Sequence, residues 1–358
     1  MIFKLRKSRL ITIISAIITA SIVVACGPQG GGGSPTGQVI SISGAGATFP
    51  APLYQNWFKT YAQQVDPNVQ ISYQSVGSGA GLEQYINGTV DFGASDAPIS
   101  GDRLKSFQER YNANPIQVPM AGGAVVFAYN LPGVDELKLP REVYCGIVTG
   151  KITRWNDPKL VAANPGKSLP DKPITFAHRS DGSGTTFIFV NHINTVCPDW
   201  PAGVGTSVNW PVGVGGQGNE GVAAQIQQNE GTIGYVEYAY AKLNNLPRAL
   251  VENKSGNFIY PSPEAASKTF AGTTIPEDFA LLVPDPENPE AFPIAGLTWI
   301  LVYPEYEDAK KWEALKGVLL WALGDDGKKI AEQLDYVPMP PDIVDRVKVT
   351  LDKVKVKS

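Results

Sequence analysis

The stretch Ile174-Thr175-Phe176-Ala177-His178-Arg179-Ser180-Asp181-Gly182-Ser183-Gly184-Thr185 leads into an apolar run from Phe187 to Ile193. Ile174, Phe176 and His178 alternate with Thr175 and Ala177, which is the period of a strand. The apolar run has the length of a helix. Between them lies a loop of glycines, hydroxyls, one arginine and one acid. A helix start presents unpaired N–H groups and a partial positive charge, so it favours an anion. Glycine lets the backbone come close to a ligand. Arg179 supplies a guanidinium fork suited to an oxyanion, and Asp181 is placed to hold that fork. Read alone, the loop fits an ordinary N-capped turn with a surface ion pair equally well.

Working outward, the same unit occurs twice more. Val39 to Ser43 leads to Gly44-Ala45-Gly46-Ala47-Thr48. A helix follows, with Pro50 and Pro52 in its first turn and Leu53, Trp57 and Tyr61 on one face. Val69, Ile71 and Tyr73 lead to Gly77-Ser78-Gly79-Ala80-Gly81, then to a helix bearing Leu82, Tyr85 and Ile86. Thr48 and Ser78 each also fit a plain N-cap. Three strand–loop–helix units predict an α/β chain whose ligand sits beyond the carboxyl ends of the strands. Asp91 to Pro98 adds Asp96, which by itself fits a turn or cap. Gly213 to Gly218 matches G-x-G-x-x-G, but the preceding Trp210-Pro211-Val212 is too short and proline-broken for a dinucleotide-binding strand. It reads as a loop into a helix from Glu220. Near the end, Ala309, Trp312, Leu315, Leu319 and Ala322 mark an amphipathic helix with Gly324 as its C-cap. Val283 to Pro293 reads as a loop or domain crossing.

The 358 residues allow two domains and a spare segment. Hydrophobic residues at 43% are ample for a core. A net charge of −4 argues against a general nucleic-acid binder. Residues 1–9 carry Lys4, Arg6, Lys7 and Arg9 and no acid, and Leu10 to Ala25 is apolar or small. This is the pattern of a signal peptide over 1–25. Val23-Val24-Ala25-Cys26 resembles a bacterial lipobox, with Cys26 as the lipidated first residue of the mature chain; an N-terminal membrane anchor with an incidental Cys is the other reading. Residues 26–37 read as a Gly/Ser/Pro tether. Processing would leave 26 basic against 34 acidic residues, a net charge of −8. The expected place is outside the cytoplasmic membrane, periplasmic or at the cell surface. Cys145 and Cys197 would then face an oxidising space, where a disulfide or two buried thiols are both open.

Ser183, His178 and Asp181 are triad residue types, but they crowd one short stretch and lack the G-x-S-x-G elbow. No cluster of Asp and His suggests a metal, and nothing calls for a cofactor. There is no P-loop. These residues therefore do not point to a nucleophilic hydrolase or a metal phosphatase.

The ordered series Gly44-Ala-Gly-Ala-Thr-Phe-Pro-Ala-Pro52, Gly77-Ser78, Asp91-Phe-Gly-Ala-Ser-Asp-Ala-Pro98, Arg179-Ser-Asp-Gly-Ser-Gly-Thr185 and Gly231-Thr-Ile-Gly-Tyr-Val-Glu-Tyr-Ala239 resembles the periplasmic phosphate-binding proteins of phosphate-specific ABC transporters. The resemblance covers about residues 38–345. It implies a two-lobed periplasmic binding protein of the type II-like class, each lobe a mixed sheet flanked by helices, with the ligand in the cleft between them. Lobe I would be 38–125 and 294–358, lobe II 126–293. By the resemblance, phosphate would be held by Thr48, the Phe49 N–H, Ser78, Asp96, Arg179, Ser183, Gly184 and Thr185, with Asp181 bracing the arginine. The resemblance implies a monomeric receptor that hands inorganic phosphate to membrane permease subunits. A sensor or storage role and a secreted phosphoesterase on the same fold are the alternatives. Asp96 makes sense against phosphate, which keeps a P–OH at neutral pH, and not against sulfate, which has no proton to offer.

Overall fold

The computed structural model describes residues 38–357; the expected leader, Cys26 and tether lie outside them. The chain opens with the alternation predicted above. Strand β1 (Ile40–Gly46) is followed by α1 (Ala51–Gln64), β2 (Val69–Ser75), α2 (Ser78–Ile86), β3 (Phe92–Ser95) and α3 (Gly101–Tyr111). β1 lies parallel to β2 over its whole length, from Ile40 opposite Val69 to Gly46 opposite Ser75, and β3 runs parallel along its other side. Parallel neighbours need a crossover, and the helices supply it. All three strands therefore end at the same edge of the sheet.

β4 (Ile116–Tyr129) is the long strand of the fold and is almost entirely buried. It is followed by β5 (Lys138–Leu139), α4 (Arg141–Val148), α5 (Pro158–Ala163), β6 (Thr175–Arg179), α6 (Gly184–Val196), β7 (Val214–Gly216), α7 (Gly218–Gln228), β8 (Thr232–Glu237) and α8 (Tyr238–Leu243). Then come β9 (Leu250–Glu252), β10 (Phe258–Ile259), α9 (Pro263–Phe270), β11 (Ala295–Val302), β12 (Glu305–Tyr306), α10 (Ala309–Ala322), α11 (Asp325–Gln333), β13 (Val337–Pro338), α12 (Pro341–Leu351) and β14 (Lys355–Val356).

The main sheet runs β2-β1-β3-β11-β4-β8-β6-β7, with β13 also on β4. β4 changes partner along its length. Residues 116–124 pair antiparallel with β11, and from Val125 to Tyr129 the partner is β8. At the change, the Val125 N–H donates to the Ile294 carbonyl at 2.8 Å. The β4–β11 ladder shifts register between Thr298 and Trp299, opposite Ala121 and Pro119. A proline that cannot donate to the ladder is tolerated at such an irregularity.

Aromatic side chains pack both halves of the sheet. Tyr54, Phe58, Tyr73 and Phe92 form one group. Phe127, Phe176, Phe189, Trp210 and Tyr235 form another. Each buried ring contributes roughly 1.5–3 kcal/mol relative to exposure. Cys145 in α4 and Cys197, the residue that ends α6, are joined in a disulfide with a Cα–Cα distance of 5.4 Å. Among the described residues no helix is long and apolar enough to cross a membrane.

Two local readings differ from the structure. Gly213 to Gly218 is not loop throughout: Val214–Gly216 adds a strand parallel to Ala177–Arg179. The free edge of β6 recruits it, and three residues are too few to show alternation. Gly324 is not a left-handed C-cap. Its φ is −83°, Leu323 closes α10, and Gly324 is the N-cap of α11.

Candidate functional site

Each strand–loop–helix unit delivers its loop to one place. Thr48 and Phe49 lie after β1, just before Pro50, the N-cap of α1. Ser78 opens α2, with Gly77 as N-cap. Asp96 follows β3 directly. From the other half of the sheet, Arg179 ends β6, Ser183 caps α6, and Gly184 and Thr185 begin it. Thr48, Ser78, Asp96, Arg179, Ser183 and Thr185 are all buried. They are brought together across the sheet: Ser78 Oγ accepts from the Gly184 N–H at 3.0 Å and from the Asp96 N–H at 3.3 Å. The Gly79 N–H reaches the Gly182 carbonyl at 2.8 Å, and Arg103 Nη1 reaches Thr206 Oγ1 at 3.3 Å.

The close approach depends on glycine at two points. Gly77 has φ +89°, and a Cβ there would lie 2.3 Å from Asp181 Oδ2. A Cβ on Gly184 would lie 2.5 Å from Asp96 Oδ2. Any larger residue would hold the two sides apart.

Arg179 is almost fully buried and is gripped by Asp181. Nε donates to Asp181 Oδ1 at 2.7 Å and Nη2 to Oδ2. Asp181 Oδ1 also accepts from the Gly218 N–H at 3.0 Å. Burial raises the Asp181 pKa, but the guanidinium and that N–H outweigh it and hold the carboxyl below its ordinary range. The fork keeps Nη1 directed at Thr185 Oγ1, 3.4 Å away.

Asn219 is a hub that the sequence reading missed. It sits at the start of α7, fully buried. Its Nδ2 donates to Thr48 Oγ1 at 2.8 Å and to Thr185 Oγ1 at 3.0 Å, and its N–H to Thr48 Oγ1 at 3.2 Å. Its Oδ1 accepts from the Glu237 N–H at 2.9 Å. The only sequence signal was its place directly after the glycine run ending at Gly218. Thr298 was missed too. Its Oγ1 donates to Asp96 Oδ1 at 2.7 Å. A lone hydroxyl in the apolar run Ala295–Val302 was the available clue. Glu237 is fully buried, with Oε2 accepting from the Ala239 N–H and Tyr336 Oη and with Oε1 unpartnered. Burial, the largest cause, pushes its pKa well above the ordinary glutamate value, which favours the neutral form.

These bonds set the polarity of the site. A hydroxyl has one proton to donate and two lone pairs to accept with. Thr48, Ser78 and Thr185 each accept two N–H groups, and Ser183 accepts the Thr186 N–H at 3.0 Å. Their protons are left to be donated elsewhere. The one acceptor among these groups is Asp96. Its Oδ1 is engaged by Thr298, and its Oδ2 is buried without a partner. Burial raises the Asp96 pKa to about 7 against the lowering effects of Thr298 and Arg179. The starts of α1, α2, α6 and α7 all meet here, which adds partial positive charge. Phe49 is anchored through its carbonyl, which accepts from Tyr336 Oη at 2.8 Å.

The residues of a hydrolytic triad are each engaged otherwise. Ser183 caps α6, Asp181 holds Arg179, and His178 Nδ1 bonds the Arg179 carbonyl while its ring stacks on Trp210.

Residues 32–326 match the model of the PBP superfamily domain. The chain is 40% identical over 329 residues to the phosphate-binding protein PstS of Pasteurella multocida, covering 90% of this chain and 93% of that one. It is 41% identical over 323 residues to the phosphate-binding protein PstS of Haemophilus influenzae, covering 88% and 93%. Among solved structures, a high-affinity periplasmic phosphate-binding protein, PfluDING, bound with phosphate superposes with a TM-score of 0.73 at 23% identity, over 87% of this chain and 93% of that one. The chain belongs to the PBP superfamily and, within it, to the family of the PstS phosphate-binding proteins.

Proposed function

We propose that this chain is a receptor that binds inorganic phosphate outside the cytoplasmic membrane and delivers it to an ABC permease for import. The observation that carries the reading is the donor and acceptor layout. Four hydroxyls with free protons, one guanidinium and several helix starts are buried together with one unpartnered carboxylate oxygen. A tetrahedral oxyanion that carries a proton satisfies all of these groups at once. Its bare oxygens accept, and its P–OH donates to Asp96 Oδ2. Each charge-assisted hydrogen bond contributes roughly 1.5–3 kcal/mol, enough in sum to replace the water the anion gives up. Thr48, Phe49, Ser78, Asp96, Arg179, Ser183, Gly184 and Thr185 are the proposed contacts, with Asp181 as the brace.

On this reading residues 38–125 and 294–358 form one lobe and 126–293 the other, hinged where β4 changes partner. The bonds Thr48–Asn219, Ser78–Gly184 and Gly79–Gly182 would then be the contacts of lobe closure. The chain is exported by its leader, held to a bacterial membrane through Cys26, and acts as a monomer without catalysis. Calorimetric titration of the full chain with phosphate and then with sulfate tests the reading: tight phosphate binding and no sulfate binding at about pH 8 and above is expected. Failure to bind phosphate, or turnover of nitrophenyl phosphate, would sink it.

A further inference from the structure

The carboxylate that accepts from the ligand has two oxygens, and only one is free. Thr298 stands on β11 at the point where the β4–β11 ladder shifts register. It is fully buried, and its hydroxyl donates to Asp96 Oδ1 at 2.7 Å. Asp96 Oδ2 points the other way, against Gly184 at the start of α6, and has no partner. Thr298 reaches Asp96 from 202 residues along the chain.

We propose that Thr298 determines the specificity of the site: its hydroxyl keeps Asp96 ionised and leaves Oδ2 as the single acceptor offered to a ligand. This rests on the phosphate-receptor reading and extends it to a residue that does not touch the ligand. The physical argument is one of proton placement. A neutral carboxyl can donate. A site with a neutral Asp96 would therefore welcome a fully ionised oxyanion such as sulfate. An ionised Asp96 repels sulfate and accepts only from an anion that brings its own proton. Discrimination therefore holds only while Asp96 is charged.

Few charges near Asp96 hold it in that state. Arg179, at the end of β6, favours the charged form. Glu237, at the end of β8, is pushed by burial towards its neutral form, and a charged Glu237 would disfavour a charged Asp96. The hydroxyls of Tyr54 on α1, Tyr73 on β2, Tyr240 on α8 and Tyr336 beside β13 are all raised by burial and stay neutral. Against the burial of Asp96 there remain one guanidinium, already shared with Asp181, and the Thr298 hydroxyl. Thr298 also blocks Oδ1 as a protonation site, because a proton there would compete with its own.

Thr298→Val keeps the shape and removes the donor, and Thr298→Ser keeps the donor. In the phosphate-free full chain, the Asp96 carboxyl carbon is followed by NMR across pH, and sulfate affinity is measured calorimetrically over the same range. Removing one hydrogen bond to a charged group moves the balance by about one pH unit or more. Thr298→Val should therefore titrate at higher pH and bind sulfate about tenfold or more tighter at about pH 8. Thr298→Ser should match the unaltered protein on both measures. If Thr298→Val does not fold, the smaller Thr298→Ala carries the same comparison. An unchanged Asp96 midpoint on loss of the hydroxyl, or a Thr298→Ser shift as large as that of Thr298→Val, overturns the proposal. Phosphate titration of the unaltered chain reports separately on the receptor reading, because the Asp96 titration needs no ligand.

Discussion

At the scale of single residues, the site works by the direction of hydrogen bonds more than by net charge. Arg179 brings one positive charge, and Asp181 offsets much of it. What remains is geometry: the fork keeps Nη1 on Thr185 because Nε and Nη2 are occupied. Arg179→Lys keeps the charge and loses the fork. Calorimetry should show phosphate affinity weakened roughly 10–100-fold, the worth of one charge-assisted bond; equal affinity would remove Arg179 from its role. Asp96 has the opposite signature. With the two sides of the site in contact, its pKa of about 7 lies above its ordinary 3.8, so this closed arrangement disfavours its charge. The sign follows directly. Its contribution to stability is full below the unfolded value and is lost as pH rises through about 7. If the two sides stay together without phosphate, Asp96→Asn should therefore stabilise the protein at pH 8 by up to roughly 4 kcal/mol, with the gain shrinking towards pH 4, and no gain would mean that they separate. Denaturant midpoints at the two pH values check it. The same variant should narrow the ratio of phosphate to sulfate affinity, and a constant ratio would argue against Asp96 as the discriminating group.

At the scale of elements, the decisive objects are helix starts set at strand ends. Three were legible because a strand alternation, a glycine and hydroxyl loop and an apolar helical run follow one another locally. The fourth, α7 with Asn219, was not. Its strand, Val214–Gly216, has three residues and forms only because β6 offers an open edge. Thr298 was hidden for a different reason: a hydroxyl in a buried strand reads as an odd core residue until the strand it faces is known. Gly184 tests the element scale. Gly184→Ala places a methyl where Asp96 Oδ2 lies at 2.5 Å, in backbone and side chain that the sheet holds in place. Thermal unfolding should show that the phosphate-free protein keeps most of its stability. Phosphate binding should fall by at least tenfold, because the two sides of the site can no longer meet. Unaltered binding would mean that the loops separate in the bound form.

At the scale of the whole molecule, the chain crosses the sheet and returns, so residues far apart in sequence become neighbours. The Cys145–Cys197 disulfide closes a loop with a sequence separation of 52. In the chain-entropy model this constrains the unfolded state by about 4 kcal/mol. Reduction, or the double change Cys145→Ser and Cys197→Ser, should lower the melting temperature while leaving phosphate affinity within about twofold, since neither cysteine is among the proposed contacts. A large loss of affinity on reduction would place the bond in the binding machinery. The long segment between α9 and β11 is tied down independently. Arg141 donates through Nη1 and Nη2 to the two carboxylate oxygens of Asp285, and His192 bonds the Pro284 carbonyl at 2.6 Å. Burial lowers the His192 pKa to about 4, so this anchor is neutral at ordinary pH.

Legible from the local order of residues were the three strand-to-helix loops, the residue types proposed to face an oxyanion, and the fork of Arg179 with its brace, two positions away. These are short-range properties. Strand period, helix starts, glycine freedom and an arginine–carboxylate pair are all decided within a few residues. The polarity of the hydroxyls and the partner of Asp96 come instead from long-range packing. Thr48 and Thr185 become donors because Asn219 fills their lone pairs, from 171 and 34 residues away. Asp96 becomes a one-sided acceptor because Thr298 is brought to it by an antiparallel strand from near the end of the chain. A hydroxyl can donate or accept, and its own sequence neighbours do not choose. The choice belongs to whatever the fold buries against it.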